Sequence, residues 1–377
     1  MNNQTIYFDN AATTKVSDAV LEGILPYLKG EYGNPSSLYR LGQESRRAIT
    51  KAREQVAAAL NCAPGEIYFT GSGSESNNWI LHDKKKVITS EFEHHAVLHA
   101  IKSGREKTIL LPVYGNGIVK VADLEKALAE NPDTELVSVM TANNEIGTIQ
   151  PIAEIGAVCR KAGVTFHTDA VQAVGNVEID VQSMNTDALS LSAHKFHGTK
   201  GAGVLYVKKG VKLPPYIFGG AQERGRRAGT ENVAGIVGLG IAIEEATRDI
   251  AAKNKALLQK RKRIYNAVMK MEKVRLNGDL ENRLANNLNF SFEGIEGEAL
   301  LLQLDLKNIA ASSGSACTSG SLDPSHVLLA LGLPHEIAHG SLRISMSRYT
   351  TDEEVDVFLK ELPPIVDKLR VMSPIWR

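Results

Sequence analysis

At 377 residues the chain is long for one compact core and short for three, which predicts a large domain with a smaller companion and a cleft between them. Its 43 Lys and Arg balance 43 Asp and Glu, and 43% hydrophobic content is that of an ordinary globular protein, so no direct nucleic-acid or membrane partner is expected. No apolar run approaches a membrane span, and residues 1–14 have neither the basic flank nor the apolar centre of a signal peptide, so a cytoplasmic enzyme is expected.

From Ser17 to about Ala246, short apolar runs alternate with helical patterns, the signature of an α/β fold with a mainly parallel sheet. The predicted strands are Ile67–Thr70, Val87–Thr89, Thr108–Pro112, Leu136–Thr141, Val164–Thr168, Ala188–Ser192 and Val204–Val207, seven in all. Helices are predicted over Glu44–Leu60, Leu124–Glu130 and Ile152–Ala162, the last closed by Gly163 as C-cap. Near Ile241 the pattern changes to one long charged helix, Ile243–Lys273, which suits a connector. Strand-like Leu288–Phe292 and helical Glu298–Leu304, Ser325–Leu331 and Asp352–Leu369 follow as a smaller α+β unit. The expected division is a large domain over 16–245 and a small one built from 1–15 and 246–377.

Polar residues cluster just after the strands, where open α/β sheets bind ligands. Lys195 ends Ser192-Ala193-His194-Lys195, between a strand and the glycines 198 and 201. A surface lysine is the bland reading; a partly desolvated lysine at a strand end is instead an aldehyde-trapping amine. Asp169, at the tip of the preceding strand, reads either as a helix N-cap or as the partner of a protonated pyridine nitrogen. Thr70-Gly71-Ser72-Gly73-Ser74-Glu75-Ser76 follows a strand and opens a helix, so its amides and hydroxyls suit a phosphate. It lacks the lysine of a P-loop and the third glycine of a dinucleotide fingerprint, which argues against ATP and NAD.

Three cysteines with wide spacing support neither a disulfide framework nor a zinc cluster, and no metal is expected. Cys62 and Cys159 fall at or in helical patterns and read as inert core thiols. Cys317 lies in the small, polar stretch Ala311–Ser321, unlike the apolar periodic surroundings of a structural cysteine.

Taken in order, Asp9-Asn10-Ala11-Ala12-Thr13-Thr14, Gly33-Asn34-Pro35-Ser36-Ser37, Glu93-His94-His95-Ala96-Val97-Leu98, Ala142-Asn143-Asn144-Glu145-Ile146-Gly147, the Asp169 and Lys195 segments, Arg227-Ala228-Gly229-Thr230 and Ser315-Ala316-Cys317-Thr318-Ser319 resemble the motifs of the cysteine desulfurases. These are class V members of the fold-type I pyridoxal-phosphate enzymes. The NifS/IscS-like group of nitrogen fixation and iron-sulfur assembly is the most similar.

The resemblance implies covalent attachment of pyridoxal 5'-phosphate to Lys195, with Asp169 on its ring nitrogen and Gln172 and Asn144 near its phenolic oxygen. His94 would stack on the ring and move protons, a duty that suits imidazole, and the motif selects it over His95. Gly73, Ser74, Ser192 and His194 would hold the phosphate, with Thr230 reaching in from the partner of a homodimer. Arg343, helped by Asn34 and Asn144, would bind the carboxylate of L-cysteine, Arg348 being its rival by charge.

Cys317 would take the substrate sulfur as a persulfide, leaving alanine, and pass it to an acceptor such as an iron-sulfur scaffold protein. The interval from Ser76 to Val87 is short against the family pattern, so the helix after the phosphate motif is expected to be brief. An aminotransferase of the same fold, a selenocysteine lyase and a non-catalytic scaffold are the competing readings.

Overall fold

The computed structural model describes residues 5–102, 107–313, 323–374 and 376. Its centre is a seven-stranded sheet in the order Ile67–Thr70, Gly203–Val207, Ala188–Ser192, Thr165–Asp169, Leu136–Ser138, Lys86–Ser90, Lys107–Leu111. Six strands run parallel and Gly203–Val207 runs against both of its neighbours. Central strands such as Ala188–Ser192 are buried along their whole length because helices cover both faces, and they therefore read as continuous apolar runs.

All seven predicted strands are present. The helix Ile152–Ala162 ends on Gly163, whose left-handed φ of 69° permits its N–H to meet the carbonyls of Cys159 and Arg160. The helix after the phosphate motif is brief, covering only Gly73–Leu81.

The single connector helix predicted over 243–273 is instead two helices, Val233–Thr247 and Ile250–Val268. Asp249 breaks between them with φ −138° and ψ 53°. The physical reason is a change of core. Ile236, Leu239 and Ala242 bury in the large apolar cluster beneath the sheet, whereas Leu257 and Ile264 bury in a second one with Phe8, Phe290 and Phe358. No glycine or proline marks the switch, so periodicity alone ran through it.

A three-stranded antiparallel sheet, Ser341–Ser345 beside Asn287–Phe292 beside Val274–Leu276, backs the second cluster. Ile6–Tyr7 pairs in parallel with Ile309–Ala310, and Asp9 bridges to Ser345. The N-terminal segment is thereby tied to the C-terminal part of the chain, close to the strand ends of the large sheet. Val327 and Leu328, from the helix His326–Ala330, pack into the larger cluster, so the two cores interlock.

Candidate active site

A cavity of about 280 Å³ opens beyond the carboxyl ends of the parallel strands. Gly73 and Ser74 reach it from the start of one helix, His94 and Asn144 from loops, Asp169, Gln172 and Ser192 from strand ends and the turn beyond, and Arg343 from the small sheet. Lys195 and His194 enter on a single helical turn, Ala193–Lys195, that follows the strand Ala188–Ser192.

Asp169 is buried, and its carboxylate accepts from Asn77 Nδ2 at 2.6 Å and from the Val171 N–H at 3.0 Å. A buried carboxylate is costly unless so bonded. Asn77, which sequence reasoning missed, sits one helical turn beyond Gly73 and Ser74, and that i, i+4 spacing was the available signal. Its Oδ1 is buried without a partner among the described groups.

Lys195 Nζ donates to the carbonyls of Ala11 at 2.6 Å and Ala12 at 2.8 Å, and Gln172 Nε2 also donates to Ala11 at 2.8 Å. The Asp9–Ala12 motif, which had no role from sequence, thus closes one wall. Its Asp9 carboxylate accepts from Arg343 Nη2 at 2.7 Å, while Arg343 Nη1 donates to the Asn144 carbonyl at 3.1 Å. Arg343 is buried, and its Nε has no partner among the described groups. Arg348 pairs with Glu245 at 3.0 Å and lines a different cavity.

Burial holds the His94 imidazole below its ordinary pKa, Asp169 opposing and Lys195 adding to the effect, so it is neutral and basic at neutral pH. His94 Nδ1 accepts from the Ala96 N–H at 3.0 Å. His95 faces away, packed between His99 and His326. Burial, with the charges of Lys195 and Lys200, pushes His194 down to about 4, and its Nδ1 lies 3.1 Å from Thr13 Oγ1.

Two predicted residues stand apart from this cavity. Thr230 is exposed, and Asn34 is exposed with its Oδ1 accepting from the Ser36 N–H at 2.9 Å. Cys317 lies outside the described residues. Burial pushes the Cys62 and Cys159 thiols up to about 12, which makes both inert. Among the described residues no group of His, Cys, Asp and Glu is arranged to hold a metal, and no helix is long and apolar enough to cross a membrane.

The residues fit pyridoxal 5'-phosphate. They supply an amine, a buried carboxylate at the neighbouring strand end, and the capped start of a helix whose first residue leaves no room for a side chain. A Cβ on Gly73 would lie 2.7 Å from Val171 Cγ2.

The chain belongs to the class V aminotransferase family, whose model matches residues 6–358. It is 54% identical to the "Cysteine desulfurase IscS" of Methanosarcina thermophila, over 99% of this chain and 95% of that one. It is 51% identical to the protein of the same name from Clostridium botulinum strain Hall, over 99% and 97%. Among solved structures, a "NIFS-LIKE PROTEIN" superposes with a TM-score of 0.90 at 40% identity, covering 97% of this chain and all of that one. A cysteine desulfurase from Thermococcus onnurineus superposes at 0.85 with 27% identity, over 97% and 96%. The fold is that of the fold-type I pyridoxal-phosphate enzymes, and pyridoxal 5'-phosphate is the cofactor of the family.

Proposed function

We infer that the chain is a pyridoxal-phosphate-dependent cysteine desulfurase, converting L-cysteine to L-alanine and carrying the sulfur as a persulfide on Cys317. The observation that carries this reading is the convergence of Lys195, Asp169, His94 and Arg343 on one cavity, in a chain about half identical to cysteine desulfurases over nearly its full length. When bound, the cofactor supplies an electrophilic aldehyde and a ring that stabilises negative charge at the substrate α-carbon.

Lys195 would anchor that aldehyde, and Asp169, held in position by Asn77, would pair with the ring nitrogen. Gly73, Ser74, Ser192 and His194 would hold its phosphate. Gln172 and Asn144, which line the same cavity, would serve its phenolic oxygen. Arg343 takes the substrate carboxylate, exchanging part of its bond to Asp9 for the ligand. Neutral His94 accepts and returns a proton.

The Cys317 thiolate then attacks the substrate sulfur. The sulfur–carbon bond breaks with its electron pair left on carbon, which takes up a proton to become the methyl group of alanine. Five residues of chain from Ser312, whose backbone pairs with Arg343, span at most roughly 18 Å.

The large and small units divide at 16–245 and at 1–15 with 246–377, following the two apolar clusters in outline. The enzyme acts as a cytoplasmic homodimer. Thr230 is exposed and absent from its own cavity lining, as a residue that reaches a partner's phosphate must be. The sulfur passes to an acceptor protein of the iron-sulfur scaffold class. The test is release of sulfide and alanine from L-cysteine with a thiol reductant. Equal amounts, lost in Cys317→Ala, are expected; sulfide release that survives the substitution refutes the assignment of Cys317.

A further inference from the structure

Glu145 is buried beside the cavity yet has no part in the chemistry above. Its backbone is fixed from both sides. Asn143 Oδ1 accepts from its N–H at 2.8 Å, and its carbonyl accepts from Asn287 Nδ2 at 3.3 Å and Asn289 Nδ2 at 3.2 Å. Its carboxylate accepts the hydroxyl proton of Ser325. The same hydroxyl oxygen accepts from the amides of Val327 at 3.1 Å and Leu328 at 3.4 Å, capping the helix His326–Ala330. One side chain therefore fastens the start of that helix to the loop that carries Asn144.

The other flank of residues 314–322 is fastened at the same place. The backbone of Ser312 exchanges hydrogen bonds with that of Arg343, at 3.3 and 2.6 Å, and the Arg343 guanidinium donates to the carbonyl of Asn144. Burial pushes the Glu145 carboxyl up to about 7, with the Ser325 hydroxyl and the charge of Arg343 pulling it down.

We propose that Glu145 is a positioning residue for sulfur transfer: its carboxylate, acting through Ser325 and Arg343, holds in place Ser312 and Ser325, the described residues that flank 314–322 in sequence. The proposal rests on the reading that Cys317 takes the sulfur. Among the described groups nothing else accepts the Ser325 proton. Glu145→Ala leaves that hydroxyl buried without an acceptor and frees the helix start.

The experiment compares cofactor-loaded wild type, Glu145→Ala, Ser325→Ala, their double variant and Glu145→Gln by two readouts. One is single-turnover formation of alanine and persulfide from L-cysteine. The other is exchange of the α-proton of L-alanine with solvent deuterium, followed by NMR, which needs Lys195 and Arg343 but no thiol. Glu145→Ala and Ser325→Ala are expected to slow sulfur transfer at least about tenfold, from the loss of one buried hydrogen bond, with α-proton exchange within about twofold of wild type. The double variant should be no slower than Glu145→Ala, because both remove one contact. Glu145→Gln, which keeps an acceptor oxygen for Ser325, should recover most of the rate. Exchange that falls in step with sulfur transfer, or sulfur transfer that is unchanged, overturns the proposal. Sulfur transfer that persists in Cys317→Ala would instead overturn the reading beneath it, so the two failures are distinguishable.

Discussion

Glu93 offers a direct check on how the site is built, because it is a buried carboxyl placed immediately before His94. It has no exposed surface, and burial pushes its pKa from 4.5 up to about 8, with Ser90 and the Met140 N–H pulling it down and Asp169 adding to the rise. Met140 N lies 3.0 and 3.1 Å from its two oxygens, so Glu93 sets the position of Met140 on the cavity wall. A folded pKa raised above the unfolded value means that stability is fully present below about pH 4.5 and is lost as pH rises toward 8. At 1.36 kcal/mol per pH unit, the rise from 4.5 to about 8 corresponds to roughly 5 kcal/mol as an upper bound.

Glu93→Gln removes that dependence. Its oxygen can keep the bonds to Ser90 and Met140, while its amide faces the Met140 N–H and costs about 1 kcal/mol at every pH. Urea midpoints measured at pH 5, 6.5 and 8 should therefore find the variant slightly weaker than wild type at pH 5 and stronger by several kcal/mol at pH 8. A difference between the two proteins that is constant across this range, or that falls with pH, refutes the reasoning.

Two further outcomes are expected. Gly73→Ala places a Cβ 2.7 Å from Val171 Cγ2, an overpacking cost of about 1–3 kcal/mol at the phosphate-binding helix start, and equilibrium titration should find cofactor affinity reduced by tenfold or more. Arg343→Lys keeps the charge but loses the fork that spans Asp9 and the Asn144 carbonyl, so KM for L-cysteine should rise more than kcat falls. Steady-state kinetics that found an unchanged KM would remove Arg343 from substrate binding.

The sheet was legible because its strands are buried on both faces and short, so each appears as an apolar run bounded by polar turns. The ends were less so. The strand expected over 136–141 stops at Ser138, beyond which the Met140 N–H bonds to Glu93 with Met140 lining the cavity, and the Thr141 N–H still bonds to the Asp169 carbonyl. The 243–273 helix failed for a different reason: its break at Asp249 reflects which core each half serves, a tertiary choice with no local signature.

In the site, Lys195, Asp169 and the Gly73–Ser74 turn stood out by their place after strands. What sequence could not reveal were long-range partners: Asn77 on Asp169, the Ala11 and Ala12 carbonyls on Lys195, and Asp9 on Arg343, 334 residues away. Charge and periodicity do not separate His94 from His95 or Arg343 from Arg348; the motifs chose the first of each pair, and it is that one which lines the cavity, while His95 packs on His326 and Arg348 pairs with Glu245.

The central claim is that Cys317 carries the sulfur, and mass spectrometry of its peptide after one turnover tests it most directly. Cofactor-loaded protein would be mixed with L-cysteine without reductant, trapped with an alkylating agent and digested. One added sulfur atom on Cys317, in an amount equal to the alanine formed, is the predicted result. Alanine formed without added sulfur on that peptide would contradict the account.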